Sequence, residues 1–548
     1  MEDTKKMDDL AQEILQEFKS VAGNRSNWEG HWQEIAERVL PSQSNSFNTF
    51  NNYNQTEGEK RTEFIFDSTA SIALNRFSAI LDSLLTPRNS IWHKLIASDP
   101  NLMKDRSAQL YFDEVTRLLF KYRYTPRANF SSQNQQNFKS LGAFGTGSLF
   151  IDDLFNEPGI RYKAIHLSEL FFVENHQGMV DKVLRHFPLT ARQAYQKWGD
   201  KLPSAIISAL STSPDRQFFF LHCVKPNTER DHERFDYKGM AYSSYYLSMA
   251  GNKIIEEGGY NTFPYAISRY EQAPGEVYGR SPAMEVLPAI KTLNEEKKTI
   301  LKQGHRTVDP ILLVHDDGII DTFNLKPGSL NAGGISADGR PLVQPLAVGN
   351  IMIGKELMDD ERAVINDAFL VTLFQILTET GQMTATEVLE RTREKGILLA
   401  PTLGRQQSEY LGPMIDREID ILARQGLLPP MPGILLEAQG EYNVQYDSPL
   451  SRAQRAEEAS GLMRTVETAL QVVNVTQSME AIDHFDWDVI IPEISQIQGV
   501  PTRWMKSVED VQKIRMGRAK AAQQQQQVEA MPGQAAMLNA ASKATSGA

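Results

Sequence analysis

The segment Gly142-Ala143-Phe144-Gly145-Thr146-Gly147-Ser148 has the glycine spacing of a loop that cradles phosphate. Such a loop needs backbone N–H groups at a helix N-terminus and a Lys-Ser or Lys-Thr pair beside them. The pair is missing here, and Leu149-Phe150-Ile151 makes the next element a strand. The segment reads as a tight backbone turn. His166, His176 and His186 recur at even intervals, but no HExxH or other ligand spacing accompanies them, so a shared zinc is not expected. Asp483-His484-Phe485-Asp486-Trp487-Asp488 gathers acids around a histidine and could offer oxygens to a cation. The same alternation turns Phe485 and Trp487 inward and leaves the acids in solvent, which is the plainer reading. Ser140, Ser148 and Ser281 lack the strand-turn-helix elbow of a hydrolase. No catalytic residue, metal ligand or cofactor is assigned, and the chain is not expected to be an enzyme.

One segment departs from the acidic background. Thr384-Ala385-Thr386-Glu387-Val388 can start a helix, and it leads into Arg391, Arg393, Lys395 and Arg405; from Arg391 onward only Glu394 opposes them. Such a face could touch a phosphate backbone through salt-sensitive contacts without sequence preference, or simply stay solvated. The whole chain carries 57 basic and 69 acidic side chains, a net charge of -12. That balance argues against a protein that coats nucleic acid, though not against one that lets DNA pass.

With 548 residues, 41% of them hydrophobic, the chain can bury several cores and should divide into roughly three or four domains. A single cysteine, Cys223, excludes an intrachain disulfide framework and CxxC metal sites, and its apolar surroundings make it a buried strand residue. No segment reads as a signal peptide and no apolar run is long enough for a bilayer, so folding in a reducing cytoplasm is expected.

The elements that would position these residues centre on two long helices around an insert. Tyr278-Gly279-Arg280-Ser281-Pro282 opens the first, with Ser281 as N-cap, Pro282 at the first helical position and Glu285 at the positive end. It is expected to run to Gly304, roughly 35 Å at 1.5 Å per residue. Its apolar stripe of Met284, Leu287, Ile290, Leu293 and Ile300-Leu301 is narrow, so one side packs. The second is expected from about Gly354 to Gly381. It is apolar on most sides from Ala363 to Leu377, so burial against more than one neighbour is expected. Between them, Asp316-Asp317-Gly318, Pro327-Gly328, Gly333-Gly334 and Asp338-Gly339 are turn chemistry in a β-rich insert.

Elsewhere, helices are expected from Met7 to Leu40, from Asp67-Ser68-Thr69 through Leu85 to a stop at Thr86-Pro87, from Ala108 to Tyr122 and into Leu141. Ser42 to Thr56 reads as an exposed loop or docking arm. Strands are expected at Ser148–Ile151, Phe171–Val173, Val180–Arg185, Phe218–Val224, Ala241–Tyr246 and Lys253–Ile255, interrupted by a capped helix from Thr190 to Trp198. Thr384 to Gln425 should be helical with glycine breaks near Gly396 and Gly404. Ser451 to Val475 and Ser507 to about Gln527 should also be helical, the last fraying into a Gln/Ala-rich tail.

The order of these pieces resembles the head-to-tail connector, or portal, family of short-tailed double-stranded DNA phages. The stretches that carry the resemblance are Trp32 to Pro41, Asp67-Ser68-Thr69-Ala70 through Leu84-Leu85-Thr86-Pro87, Leu141 to Gly147, Tyr278 to Pro282, and Gly381 through Leu403-Gly404-Arg405. Glu409, Leu411, Pro413-Met414 and Leu427-Leu428-Pro429 follow the last of these. The likeness covers nearly the whole chain except the Gln/Ala tail; no single motif is diagnostic, but their order and spacing are.

The resemblance implies a helix-rich α+β portal fold: a wing over residues 1–281, stem helix 1 over 282–304, a β-containing clip over 305–353 and stem helix 2 over 354–377. A tunnel loop over 378–401, a long wing helix over 402–432, a helical crown over 433–515 and a tail over 516–548 would complete it. It implies a ring of this chain, as a rule a dodecamer, at one capsid vertex of the virion, assembled in the host cytoplasm. Double-stranded DNA would pass through its channel in packaging and ejection. The terminase motor, a tail adaptor, and the major capsid and scaffolding proteins would be its partners, with no membrane involved. Arg391, Arg393, Lys395 and Arg405 become channel candidates, and Asp316, Asp317, Phe323, Lys326 and Arg340 become candidate partner contacts on the clip. The alternatives are another virion structural protein, an internal core or tail component, which would lack the stem-clip-stem order, or a DNA-processing enzyme, which would need a carboxylate metal cluster or Walker loop.

Overall fold

The structure is a computed structural model that describes residues 2–44, 47, 58–63, 65–88, 90–314, 324–347, 351–372, 400–437, 440–446, 461–472, 485–497, 504–506 and 510–522. It is a mixed helix and sheet protein with two compact units, residues 1–90 with 119–427 and residues 91–118 with 428–548.

In the first unit, helices α1 (Glu2–Gly23) and α2 (Ser26–Val39) open the chain, and α3 (Thr69–Leu85) follows. Asp67 holds the start of α3 by accepting from the Thr69 N–H (3.0 Å) and hydroxyl (2.5 Å). Helix α5 (Phe130–Phe144) packs on α3 and leads directly into strand β2 (Thr146–Asp153), which pairs with β3 (Ile160–Ala164) on one side and β9 (Tyr265–Arg269) on the other.

An antiparallel meander, β4 (Leu170–Glu174), β5 (Val180–Thr190), β6 (Gln217–Pro226), β7 (Tyr242–Ser248) and β8 (Lys253–Tyr260), forms the larger sheet. Its period-two alternation gives each face its own core. Phe187, Phe218, Phe220, Tyr246 and Ile255 meet Ala194, Trp198 and Ile206 of α6 (Ala191–Trp198) and α7 (Ser204–Thr212). Phe171, Leu184, Leu221, Cys223 and Leu247 meet Ala11, Ile14, Leu15 and Phe18 of α1. Cys223 is thus a core residue, and burial pushes its thiol up to about 12. The Thr190 hydroxyl and the Gln193 side chain form a reciprocal cap on α6.

The first long helix differs in two ways from its sequence pattern. A short α8 (Pro282–Glu285) and α9 (Leu287–Val308) are separated at Val286, because Pro288 has no N–H for the Met284 carbonyl. At the far end the helix passes through Gly304 to Val308, since glycine weakens a helix interior without ending it.

The second, α10 (Ile351–Ala368), ends before Leu370, which adopts a left-handed conformation at φ 61°. Among the described residues it is not fully enclosed. Met358 and Ile365 are buried, whereas Leu357 and Val364 are half exposed. The helix expected from the sequence runs on to about Gly381, and its own apolar residues after Thr372 lie outside the described residues.

Between these helices, β10 (Leu312–Val314) and β11 (Val343–Pro345) pair antiparallel. Gly328, Gly333 and Gly339 all take positive φ, as their turns require. Residues 400–424 are helical without a break at Gly404; the irregularity is a π-helical turn, Gln406–Leu411, before the helix Gly412–Arg424.

In the second unit, β1 (His93–Ala97) pairs with β12 (Tyr442–Tyr446), and Thr116 of α4 (Arg106–Arg123) receives the Leu95 N–H at 3.2 Å. Asp486 caps the helix Trp487–Ile497 through the Asp488 N–H, and Asp488 is paired with Arg515.

Candidate functional site

Two glycine-bearing motifs meet at the root of the helix pair. Helix α5 ends on Gly145, at φ 74°, with its N–H closing on the Leu141 carbonyl at 2.9 Å. A Cβ at Gly145 would lie 2.2 Å from the Gly279 carbonyl oxygen, and one at Gly279 would lie 2.2 Å from that of Gly145. Two backbones therefore touch where only glycine permits it. The Gly279 N–H donates to the Thr146 hydroxyl (2.9 Å), the Tyr270 N–H to the Gly145 carbonyl (2.9 Å), and the Ser140 hydroxyl to the Thr146 carbonyl (2.8 Å). Ser281 joins the motifs once more: its hydroxyl donates to the Ala143 carbonyl (2.8 Å) and accepts the Met284 N–H (3.0 Å). The start of α8 is thus capped and bolted to the end of α5 by one side chain. The glycine-rich segment is a junction, not a phosphate cradle.

Aromatic rings close the same junction. Tyr278 is buried against Trp32 (ring centroids 5.1 Å) and Phe172 (4.6 Å), and Arg280 lies over Trp28. Tryptophans of α2 and the Tyr278-Gly279-Arg280 motif, distant in sequence, are one packing unit.

Buried ion pairs tie the π-helical segment to this root. Arg269, at the end of β9, donates to both Glu409 oxygens (2.9 and 3.0 Å) and to Glu174, while its carbonyl accepts from Gln406 at 2.7 Å. Burial works against its charge, but Glu409 and Glu174 outweigh burial and raise the guanidinium pKa. Tyr410 donates to Asn134 at 2.6 Å, and Asn134 in turn donates to Asp82 on α3 and to Thr86 just past its end. Pro413 accounts for the wide turn: it offers no N–H to the Glu409 carbonyl, and the π-turn absorbs the mismatch. A proline inside a helical pattern was the available signal for this device.

A second ionic knot lies nearby. Arg123, at the end of α4, forks onto Glu418, whose Oε1 also accepts the Tyr162 hydroxyl at 2.6 Å; Arg123 and Glu418 are fully buried.

The predicted chemistry-bearing residues are placed as follows. His166 and His186 are largely enclosed and His176 is exposed, so the three do not converge. His166 lies between Ser168 (2.6 Å) and Gln43 (3.0 Å), and burial reinforced by Arg25 lowers it to about 4. His186 stacks on Phe219 and Phe18 and is likewise lowered to about 4, first by burial. Among the described residues no group of three or more His, Cys, Asp or Glu could hold a metal ion, and no helix is long and apolar enough to cross a membrane.

Arg405 is half buried, one residue before the π-turn, with Nη1 enclosed and unbonded among the described residues. Lys326 and Arg340 are exposed in the turns of the insert: the Lys326 carbonyl accepts from Ser329, and the Arg340 carbonyl from Ser336. Arg391, Arg393, Lys395, Asp316, Asp317 and Phe323 lie outside the described residues.

Comparison with known proteins gives this geometry a context. The bacteriophage head to tail connecting protein family matches residues 11–505. The portal protein of Salmonella phage epsilon15 is 29% identical over 522 residues, 93% of this chain and 91% of its own length. The probable portal protein of Bordetella phage BPP-1 is 29% identical over 535 residues, 96% and 93% respectively.

Proposed function

The chain belongs to the bacteriophage head to tail connecting protein family, and we propose that it forms the ring at one capsid vertex through which double-stranded DNA is packaged and ejected. The observation that carries this reading is the family match along residues 11–505, which spans the helix pair, its β-bearing insert and the root that anchors them.

In this reading α8–α9 and α10 are the stem through the shell, and the insert between them is the clip that docks the terminase motor and later a tail adaptor. The segment after α10, with Arg391, Arg393 and Lys395, is the tunnel loop; Arg405, half buried, contributes less. The wing faces outward toward capsid and scaffolding proteins, and residues 433–515 form the crown.

Charge and symmetry supply the mechanism. A net charge of -12 on each chain makes a ring that repels the phosphate backbone, so DNA slides without sticking. A few basic side chains repeated around the ring give weak contacts that no base sequence biases. The ring hydrolyses nothing in this account; the motor supplies the work.

Heads assembled with and without the chain test the reading. Heads containing it should protect packaged DNA from nuclease and heads lacking it should not; equal protection would overturn the proposal. Arg391→Glu should leave rings intact while lowering the DNA packaged or retained, and normal packaging would remove Arg391 from the channel.

A further inference from the structure

The two long helices are oppositely charged. Helix α9 carries five basic side chains against two acidic ones, and α10 carries five acidic against two basic. Within one chain this complementarity is little used where they pack. Gly354 brings α10 onto Ile300 of α9, Met358 and Ile365 are buried, and the facing acids Glu296 and Glu361 are close enough that, with burial, Glu361 raises the Glu296 carboxyl.

Each helix also keeps a face that nothing described in this chain covers. On α10, Leu357 and Val364 are 51% and 50% exposed; seven residues apart, they share a side, with Asp360 between them and Asp367 one turn beyond. On α9, Thr299, Lys302, Gln303 and Arg306 line a groove of about 300 Å³ completed by Ile311 and Leu346, which are 53% and 43% exposed. Among the described residues neither Lys302 nor Arg306 is in an ion pair. One face is an apolar ridge set among carboxylates; the other is an apolar-floored groove rimmed by two cations.

We infer that the α9 groove of one protomer receives the Leu357–Val364 ridge of α10 from a second copy of this chain. Lys302 and Arg306 would then flank Asp360 and Asp367. The occupant is a second copy because charge and shape complement each other across two different faces of the same molecule. Such a heterologous contact leaves every protomer with one face to give and one to receive, and closes when the rotation per subunit allows. The inference rests on the ring proposed above and names the surface that holds its stem together.

Charge reversal tests it on the full-length protein. Lys302→Glu with Arg306→Glu should raise the protein concentration needed for half-assembly about tenfold, and Asp360→Lys with Asp367→Lys should do the same. All four changes in one chain should restore assembly to within about twofold, because the pairing is reinstated with its signs exchanged. Unchanged thermal unfolding of each variant would show that the fold is intact, as expected for exposed side chains.

Assembly that is indifferent to either reversal, or a fourfold variant no better than the twofold ones, would overturn the inference while leaving the ring itself standing. An acidic segment of another virion protein captured by the groove in rings indifferent to reversal would also overturn it. A parent chain that forms no ring would remove the ring reading and this inference together.

Discussion

The root of the helix pair and its tip are built on opposite terms. At the root, Gly145 and Gly279 touch backbone to backbone, Ser281 bonds both motifs, and Arg269 binds two carboxylates. At the tip, β10 and β11 share three residue pairs, and Leu325, Leu330 and Ile335 stand 70%, 99% and 68% exposed. Large apolar side chains left this open are surface that a partner could bury. Among the described residues the root is closed within one chain, whereas the tip keeps apolar side chains exposed, which in the proposed function partners would cover. Substitutions at the root should therefore act on folding, and substitutions at the tip on assembly.

The comparison breaks most sharply at Gly145. Gly145→Val puts a branched side chain at φ 74° and a Cβ into the Gly279 carbonyl, so a loss of about 4–6 kcal/mol is expected. Soluble expression and the thermal midpoint would report it, and a variant of unchanged midpoint would contradict the junction. Glu418→Ala should cost about 3–5 kcal/mol, because Arg123 would be left buried without its carboxylate; a chemical unfolding curve measures this.

The buried histidines give a smaller, pH-dependent effect. His166 is lowered from 6.5 to about 4 in the folded protein, so between those values the unfolded chain binds the proton first. Stability is full above about pH 6.5 and falls as the pH drops toward 4, by up to about 3 kcal/mol for this group. Unfolding midpoints for the wild type and His166→Gln between pH 7 and 4 would show it as a shallower slope in the variant. Smallest of all should be Leu330→Ser at the tip, within about 0.5 kcal/mol of the wild type in the isolated chain. A large loss of stability there would mean that the tip is a core of its own.

Much of the root was legible in the residues but not its connectivity. Ser281-Pro282 announced a helix start, Asp67-Ser68-Thr69 another, and alternating apolar residues marked most strands of the large sheet. The glycine-rich segment announced a turn, yet nothing local says that Gly145 meets Gly279, because that contact depends on how α5 and β9 are laid together. The pairing of β1 with β12 is hidden for the same reason: its register joins Leu95 to Val444 across most of the chain. Arg123–Glu418 is likewise a meeting of two helices far apart in sequence, and neither residue sits in a motif.

Helix boundaries failed where proline and glycine had to be weighed against each other. Pro288 interrupts the first long helix although the periodicity runs through it, and Gly304 does not stop it although a glycine there is expected to close its far end. Pro413 opens a π-turn that aims Glu409 at Arg269, an outcome that helical periodicity cannot express. The apolar pattern of the second long helix announces burial against more than one neighbour, but hydrophobic pattern alone does not say whether those neighbours belong to the same chain.

Imaging of the purified full-length protein by negative-stain electron microscopy tests the central claim most directly. Single closed rings with a central hole wide enough for a DNA duplex are the predicted result. Monomers or open filaments under conditions where the chain is folded would contradict it.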